Sequence, residues 1–135
     1  MAGTMPVMRA RTALLLDAVS VVAFVAIGRA SHDDGILSAG GLLALSPFAI
    51  ALAGGWAVTR AWRHPAALAT GASIWAITVI GGLLLRSALP GRDLEPSFVI
   101  VTALVLALMI VGWRVVATVA TRQPTRRRGS RSTAR

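Results

Sequence analysis

Four long apolar runs divide the chain, at about residues 12–29, 36–59, 65–86 and 97–120. Each falls in the range of roughly 17–25 residues that a helix needs to cross a hydrocarbon core. The second run carries no charge, and the third none before Arg86 at its end; the first is interrupted by Asp17 and the fourth by Arg114. All four are apolar around the whole helical circumference, which suits lipid and not a water-facing surface. No stretch alternates apolar and polar residues with the period of two that a membrane barrel requires. The links Arg29–Gly35, Arg60–His64 and Arg86–Pro96 are short, and short links make consecutive helices antiparallel neighbours. The expected architecture is therefore an all-α integral membrane bundle of four transmembrane helices with up-down topology over residues 1–121. Composition agrees: 56% of the residues are hydrophobic and 14% charged, against about a quarter charged in a soluble domain.

The arginines set the orientation, since Lys/Arg excess marks cytoplasmic flanks. All 14 basic residues are Arg. Arg9 and Arg11 precede the first run, Arg60 and Arg63 join the second to the third, and Arg114, Arg122, Arg126, Arg127, Arg128, Arg131 and Arg135 lie at or beyond the end of the fourth. The opposite side holds Arg29, Arg86 and Arg92, offset by Asp33, Asp34, Asp93 and Glu95. This asymmetry predicts a multi-pass protein of the cell membrane with both termini cytoplasmic. Trp56, Trp62 and Trp113 lie near the cytoplasmic ends of their runs, as an interfacial aromatic belt would. Arg9, Arg11 and the following apolar run loosely imitate a secretory signal, but Asp17 lies inside the run, which is read as a retained helix.

Residues 122–135 are rich in Arg, Ser, Thr and Gly without apolar periodicity, so a disordered tail is expected. Its arginines would attract anionic cytoplasmic lipid at roughly 1 kcal/mol per charge near the surface. The tail lacks aromatics for stacking on bases, and no nucleic-acid partner is expected.

Ionisable residues inside a span usually face the bundle interior, and Asp17 and Arg114 lie at matched depths in the first and fourth runs. An Asp17–Arg114 ion pair is the leading expectation, with static glue favoured over transport coupling. A second cluster gathers on the outer side, where Arg29, His32, Asp33, Asp34 and Arg86 are expected to form one polar patch joining the first and third helices. His32, Asp33 and Asp34 make a weak metal set, because consecutive residues rarely all point at one ion. With no Cys, thiol nucleophiles and Cys-based metal sites are excluded. Neither a nucleophile–base–acid set nor a phosphate-cradling Gly loop is present, so no catalytic residue, metal or cofactor is expected. Small residues spaced by four, Gly40 and Ala44, Ala51 and Gly55, Ala67 and Gly71, Thr78 and Gly82, mark close packing seams. Pro47 removes a helical hydrogen bond and is expected to kink the second helix.

Asp17, Phe24, Gly28-Arg29, Ser31-His32, Pro47-Phe48, Gly55-Trp56, Gly82 with Arg86, Pro96-Ser97-Phe98-Val99 and Gly112-Trp113-Arg114 occur in this order. In these features, from roughly Arg11 to Arg114, the chain resembles the small bacterial and archaeal membrane proteins grouped as domain of unknown function three-zero-five-four. The resemblance implies a four-helix integral membrane protein in which the Asp17, Arg29, His32, Arg86 and Arg114 positions belong to a shared pattern, and it implies no activity. The functional expectation is a non-enzymatic membrane interaction or assembly subunit, partnered by another membrane protein or by a second copy of itself. The alternative is a small-solute or ion transporter or channel acting as a dimer.

Overall fold

The computed structural model describes residues 9–30 and 38–122. His32, Asp33, Asp34 and the tail beyond Arg122 lie outside them. Four helices follow in order: α1 (Ala10–Arg29), α2 (Ala39–Thr59), α3 (Leu68–Ser87) and α4 (Pro96–Arg122). All four are long and apolar enough to cross a membrane, and no strand occurs among the described residues. α1 packs on α2 and α4, and α3 packs on the same two, so α1 and α3 stand diagonally across the bundle. Asp17 in the first half of α1 meets Trp56 near the end of α2, Gly55 and Phe48 of α2 meet Ile74 and Gly82 of α3 in reverse order, and Gly71 early in α3 meets Arg114 late in α4, so consecutive helices run antiparallel.

Local chemistry sets the helix ends. Ser38 caps α2, its Oγ accepting from the Gly41 N–H at 3.1 Å. This satisfies a donor that the first turn otherwise leaves bare. α2 closes with Arg60 in the left-handed region at φ 50°. The N–H of Ala61 there reaches back to the Trp56 carbonyl and that of Arg60 to the Ala57 carbonyl, the paired bonds of a Schellman ending. α3 begins at Leu68, three residues later than Pro65, where its apolar run starts. Pro65 to Ala67 remain in the turn, and Ala67 is extended (φ −66°, ψ 136°). Pro96 opens α4, where its fixed φ suits the helix and its missing N–H leaves nothing unpaired.

α2 runs as one helix through Pro47. The N–H that Pro47 lacks would have bonded the Leu43 carbonyl; the hydroxyl of Ser46 donates to that oxygen instead, at 3.0 Å. In a bilayer this substitution matters, because a freed carbonyl finds no water there.

α4 contains a π turn at Ala107–Val111. Thr102, Leu106, Ile110 and Arg114 are all completely buried and recur every fourth residue. At 3.6 residues per turn such a stripe drifts by about 40° per step. The wider π turn absorbs the drift and keeps Arg114 facing inward with Thr102.

The interior is marked by small and polar residues. Ala13, Asp17 and Ser20 on α1, Gly41, Ala44 and Gly55 on α2, and Gly71, Thr78 and Gly82 on α3 all face inward, beside Val21, Phe48, Ile74, Leu106 and Ile110. Large aliphatics such as Leu15, Ile27, Ile50, Val58, Leu84 and Leu108 face outward. Gly55 lets α3 approach until the position of its missing Cβ is 3.5 Å from the Ile74 Cα.

Candidate functional site

Near the end of the bundle where both described termini lie, Asp17 and Arg114 form an ion pair, with Arg114 Nη2 2.7 Å from Asp17 Oδ2 and both side chains 0% exposed. Arg114 Nη1 also donates to Asp17 Oδ1 at 2.8 Å, completing the two-pronged fork that guanidinium and carboxylate share. Trp56 Nε1 donates to Oδ2 and Trp113 Nε1 to Oδ1, each at 2.9 Å. The carboxylate thus accepts four hydrogen bonds, about its full capacity. The rest of the guanidinium is also engaged: Nε donates to the Pro65 carbonyl at 2.9 Å, Nη1 to the Ile110 carbonyl at 2.8 Å, and the Trp113 ring covers it at 4.2 Å. Gly71 on α3 makes the space, since a Cβ there would collide with Arg114 Cδ. One node therefore joins α1, α2, the turn before α3, and α4.

The sequence places two of its members, Trp56 and Trp113, in an interfacial belt, and the structure turns them inward. Trp56 is buried and Trp113 half-buried, and each turns its indole N–H to Asp17, because a buried indole N–H needs an acceptor and the carboxylate is the nearest strong one. Trp62 is exposed, as a belt residue is. Trp75 takes no part; its Nε1 donates to the Ala103 carbonyl at 2.9 Å and ties α3 to α4. The matched depth of Asp17 and Arg114 is visible in the sequence, and Trp56 and Trp113 stand among the features that carry the resemblance, but nothing in the sequence aims their indoles at Asp17 or marks the Pro65 carbonyl.

At the opposite end, Arg29 of α1 and Arg86 of α3 line one cavity of about 320 Å³ between the helices. Arg92, from the link before α4, lines it too. The inner walls are Phe24, Val25, Ala44 and Phe48, all buried, and Phe98 at the start of α4. Phe24 meets Phe48 edge-on at 5.4 Å between centroids and Phe98 at 6.4 Å. Gly82 admits the Phe48 ring: a Cβ there would lie 2.7 Å from Phe48 Cε1. Arg29 Nη2 lies 3.2 Å from where a Cβ on Gly40 would stand, so Gly40 makes room for that guanidinium.

Arg86 stacks its guanidinium over Phe98 at 4.2 Å, and its Nε is buried without a hydrogen-bond partner. A donor left so forfeits about 1–3 kcal/mol. Among the described residues neither Arg86 nor Arg92 forms an ion pair. Asp93 and Glu95 line an adjoining crevice beside them without pairing. The structure thus brings Arg29 and Arg86 to one cavity, across the bundle diagonal, while the other three residues of the expected patch lie outside the described region.

A family model described as "Protein of unknown function (DUF3054)" matches residues 14–117, covering the node and the cavity. No curated protein and no solved structure matches the chain.

Proposed function

This chain belongs to the DUF3054 family of proteins of unknown function, and on that premise we propose that it is a non-enzymatic interaction or assembly subunit of the cell membrane. It stands with both termini in the cytoplasm, by the arginine asymmetry. It works as a rigid bundle that docks to another membrane protein or to a second copy of itself, while the basic tail rests on anionic lipid. The observation that carries this reading is the filled coordination of Asp17, whose oxygens take four hydrogen bonds from three side chains. A carboxylate that couples transport must release its partner to take up a proton or a cation. Here that would mean opening a node which also holds the turn before α3 through the Pro65 carbonyl. The buried apolar residues Val21, Ile74, Leu106 and Ile110 lie between node and cavity along the helices, which further disfavours a through-path for solute.

The experiment is affinity purification of the full chain from native membrane after cross-linking, paired with flux assays in proteoliposomes. A partner subunit or a second copy at fixed stoichiometry is expected, with no ion flux above empty vesicles. Proton or cation flux that disappears in a folded Asp17→Asn variant would overturn the reading in favour of a transporter. Reporters fused after Arg122 and after Asp93 should report opposite sides of the membrane; a non-cytoplasmic signal from the first overturns the orientation.

A further inference from the structure

The cavity at the end of the bundle away from the node has a use that the assembly reading leaves open. We propose that it is a binding site for an organic anion, an oxyanion head of the carboxylate or phosphate type carried on a compact apolar body. The inference stands on the cavity alone and holds whether or not the bundle docks to a partner.

Three observations converge on this chemistry. Phe98 covers one face of the Arg86 guanidinium and leaves the in-plane N–H groups for an acceptor, the geometry in which guanidinium receives carboxylate and phosphate. The Arg86 Nε lies out of solvent with no acceptor, so the protein leaves this guanidinium incompletely engaged beside a cavity that the same side chain lines. Arg92 lines the same space and has no ion-pair partner among the described residues. Two cations sharing one wall repel each other, and a single anion between them relieves both.

The inner walls select the rest of the ligand. Phe24, Phe48 and Ala44 are buried and offer no polar side chain, so the part of the ligand below the head is apolar. The volume of about 320 Å³ is roughly twice that of a dry cavity known to hold benzene. It therefore accommodates roughly a dozen non-hydrogen atoms, a head group with a chain of moderate length. Val101 lines the cavity and is 52% exposed on the outer surface of α4, so the apolar body borders the bilayer while the head remains with the arginines. The same chemistry is offered by a lipid headgroup with part of its chain and by a small water-borne amphiphile.

The test uses the full chain in phosphatidylcholine nanodiscs, with octanoate and octyl phosphate as probes, octanol as the uncharged control, and calorimetric titration as readout. Saturable binding of the two anions and none of octanol is expected. Arg92→Gln and Arg86→Gln should each weaken binding by about tenfold or more, from the loss of a charge-assisted hydrogen bond. Ala44→Phe, which fills the cavity and keeps both arginines, should abolish it. Should Arg86→Gln fail to fold, Arg92→Gln and Ala44→Phe carry the test, with circular dichroism and size exclusion as folding controls. Adding phosphatidylglycerol to the discs separates the sources: competition with octanoate identifies a lipid headgroup, and undiminished octanoate binding a water-borne ligand. No saturable binding of either anion and of phosphatidylglycerol, equal binding of octanol, or affinity unchanged in the folded variants would overturn the proposal.

Discussion

Replacing Asp17 by Asn removes one charge from the node and almost no volume, so its effect isolates electrostatics. Whichever way the new amide is turned, its NH2 group faces one indole N–H and one guanidinium N–H, because each carboxylate oxygen accepts from one Trp and from Arg114. Donor then meets donor at two contacts, and Arg114 is left as an uncompensated charge with no solvent exposure. Breaking one side of a buried pair in this way costs about 3–5 kcal/mol. A neutral hydrogen bond between membrane helices contributes far less, on average about 0.6 and at most about 1.7 kcal/mol. The two mechanisms are therefore separable by size. Arg114→Gln should cost a similar amount, since it strips two donors from Asp17 and also abandons the Pro65 and Ile110 carbonyls. The double variant Asp17→Asn/Arg114→Gln holds no buried charge and should cost less than the sum of the singles by about 2–3 kcal/mol. Reversible unfolding in mixed micelles, followed by circular dichroism and by the fluorescence of the node tryptophans, measures all three. Effects that add within about 0.5 kcal/mol, or a loss under about 1 kcal/mol for Asp17→Asn, would refute the view that this charge pair holds the helices together.

The same assay checks the remaining expectations. Trp56→Phe removes one donor from the carboxylate and leaves the pair, so it should cost about 1–2 kcal/mol, well below Asp17→Asn. Gly71→Ala drives a methyl into Arg114 Cδ and should cost about 1–3 kcal/mol, a penalty that shrinks once Arg114→Gln has removed the obstructed side chain. Thr102 is completely buried and its hydroxyl has no partner; Thr102→Val should be neutral or stabilise by about 1 kcal/mol, and a marked loss would mean that the hydroxyl is satisfied in the membrane.

Hydropathy alone announced four helices, and their even number brought both described chain ends to one side. Hydropathy did not place the exact ends: Ser38, inside the run that begins at 36, caps α2, and Pro96, counted in the link, opens α4. Asp17 and Arg114 were legible as a pair because a charge inside a span must be answered from another span, and these two lie at equal depth. The α3 start at Leu68 was not legible, since Pro65 and Ala66 suit a buried turn as well as a lipid-facing helix.

Which face of each helix turns inward also lay beyond hydropathy. Lipid tails are as apolar as Leu, so no hydrophobic force sorts Leu15 from Val21 or Leu108 from Ile110, and the outcome rests on close approach and polar pairing. Only tertiary packing turned the indoles of Trp56 and Trp113 from the interface to Asp17. The π turn in α4 likewise answers a demand from outside its own helix, because Arg114 must stay in phase with Thr102 to reach the carboxylate of α1. The cavity is the most collective feature: Arg29, Arg86 and Arg92 come from distant stretches of chain, and the walls between them exist only where Gly82 admits the ring of Phe48. Composition and periodicity are properties of one helix at a time, whereas a cavity is the space that several helices fail to fill together.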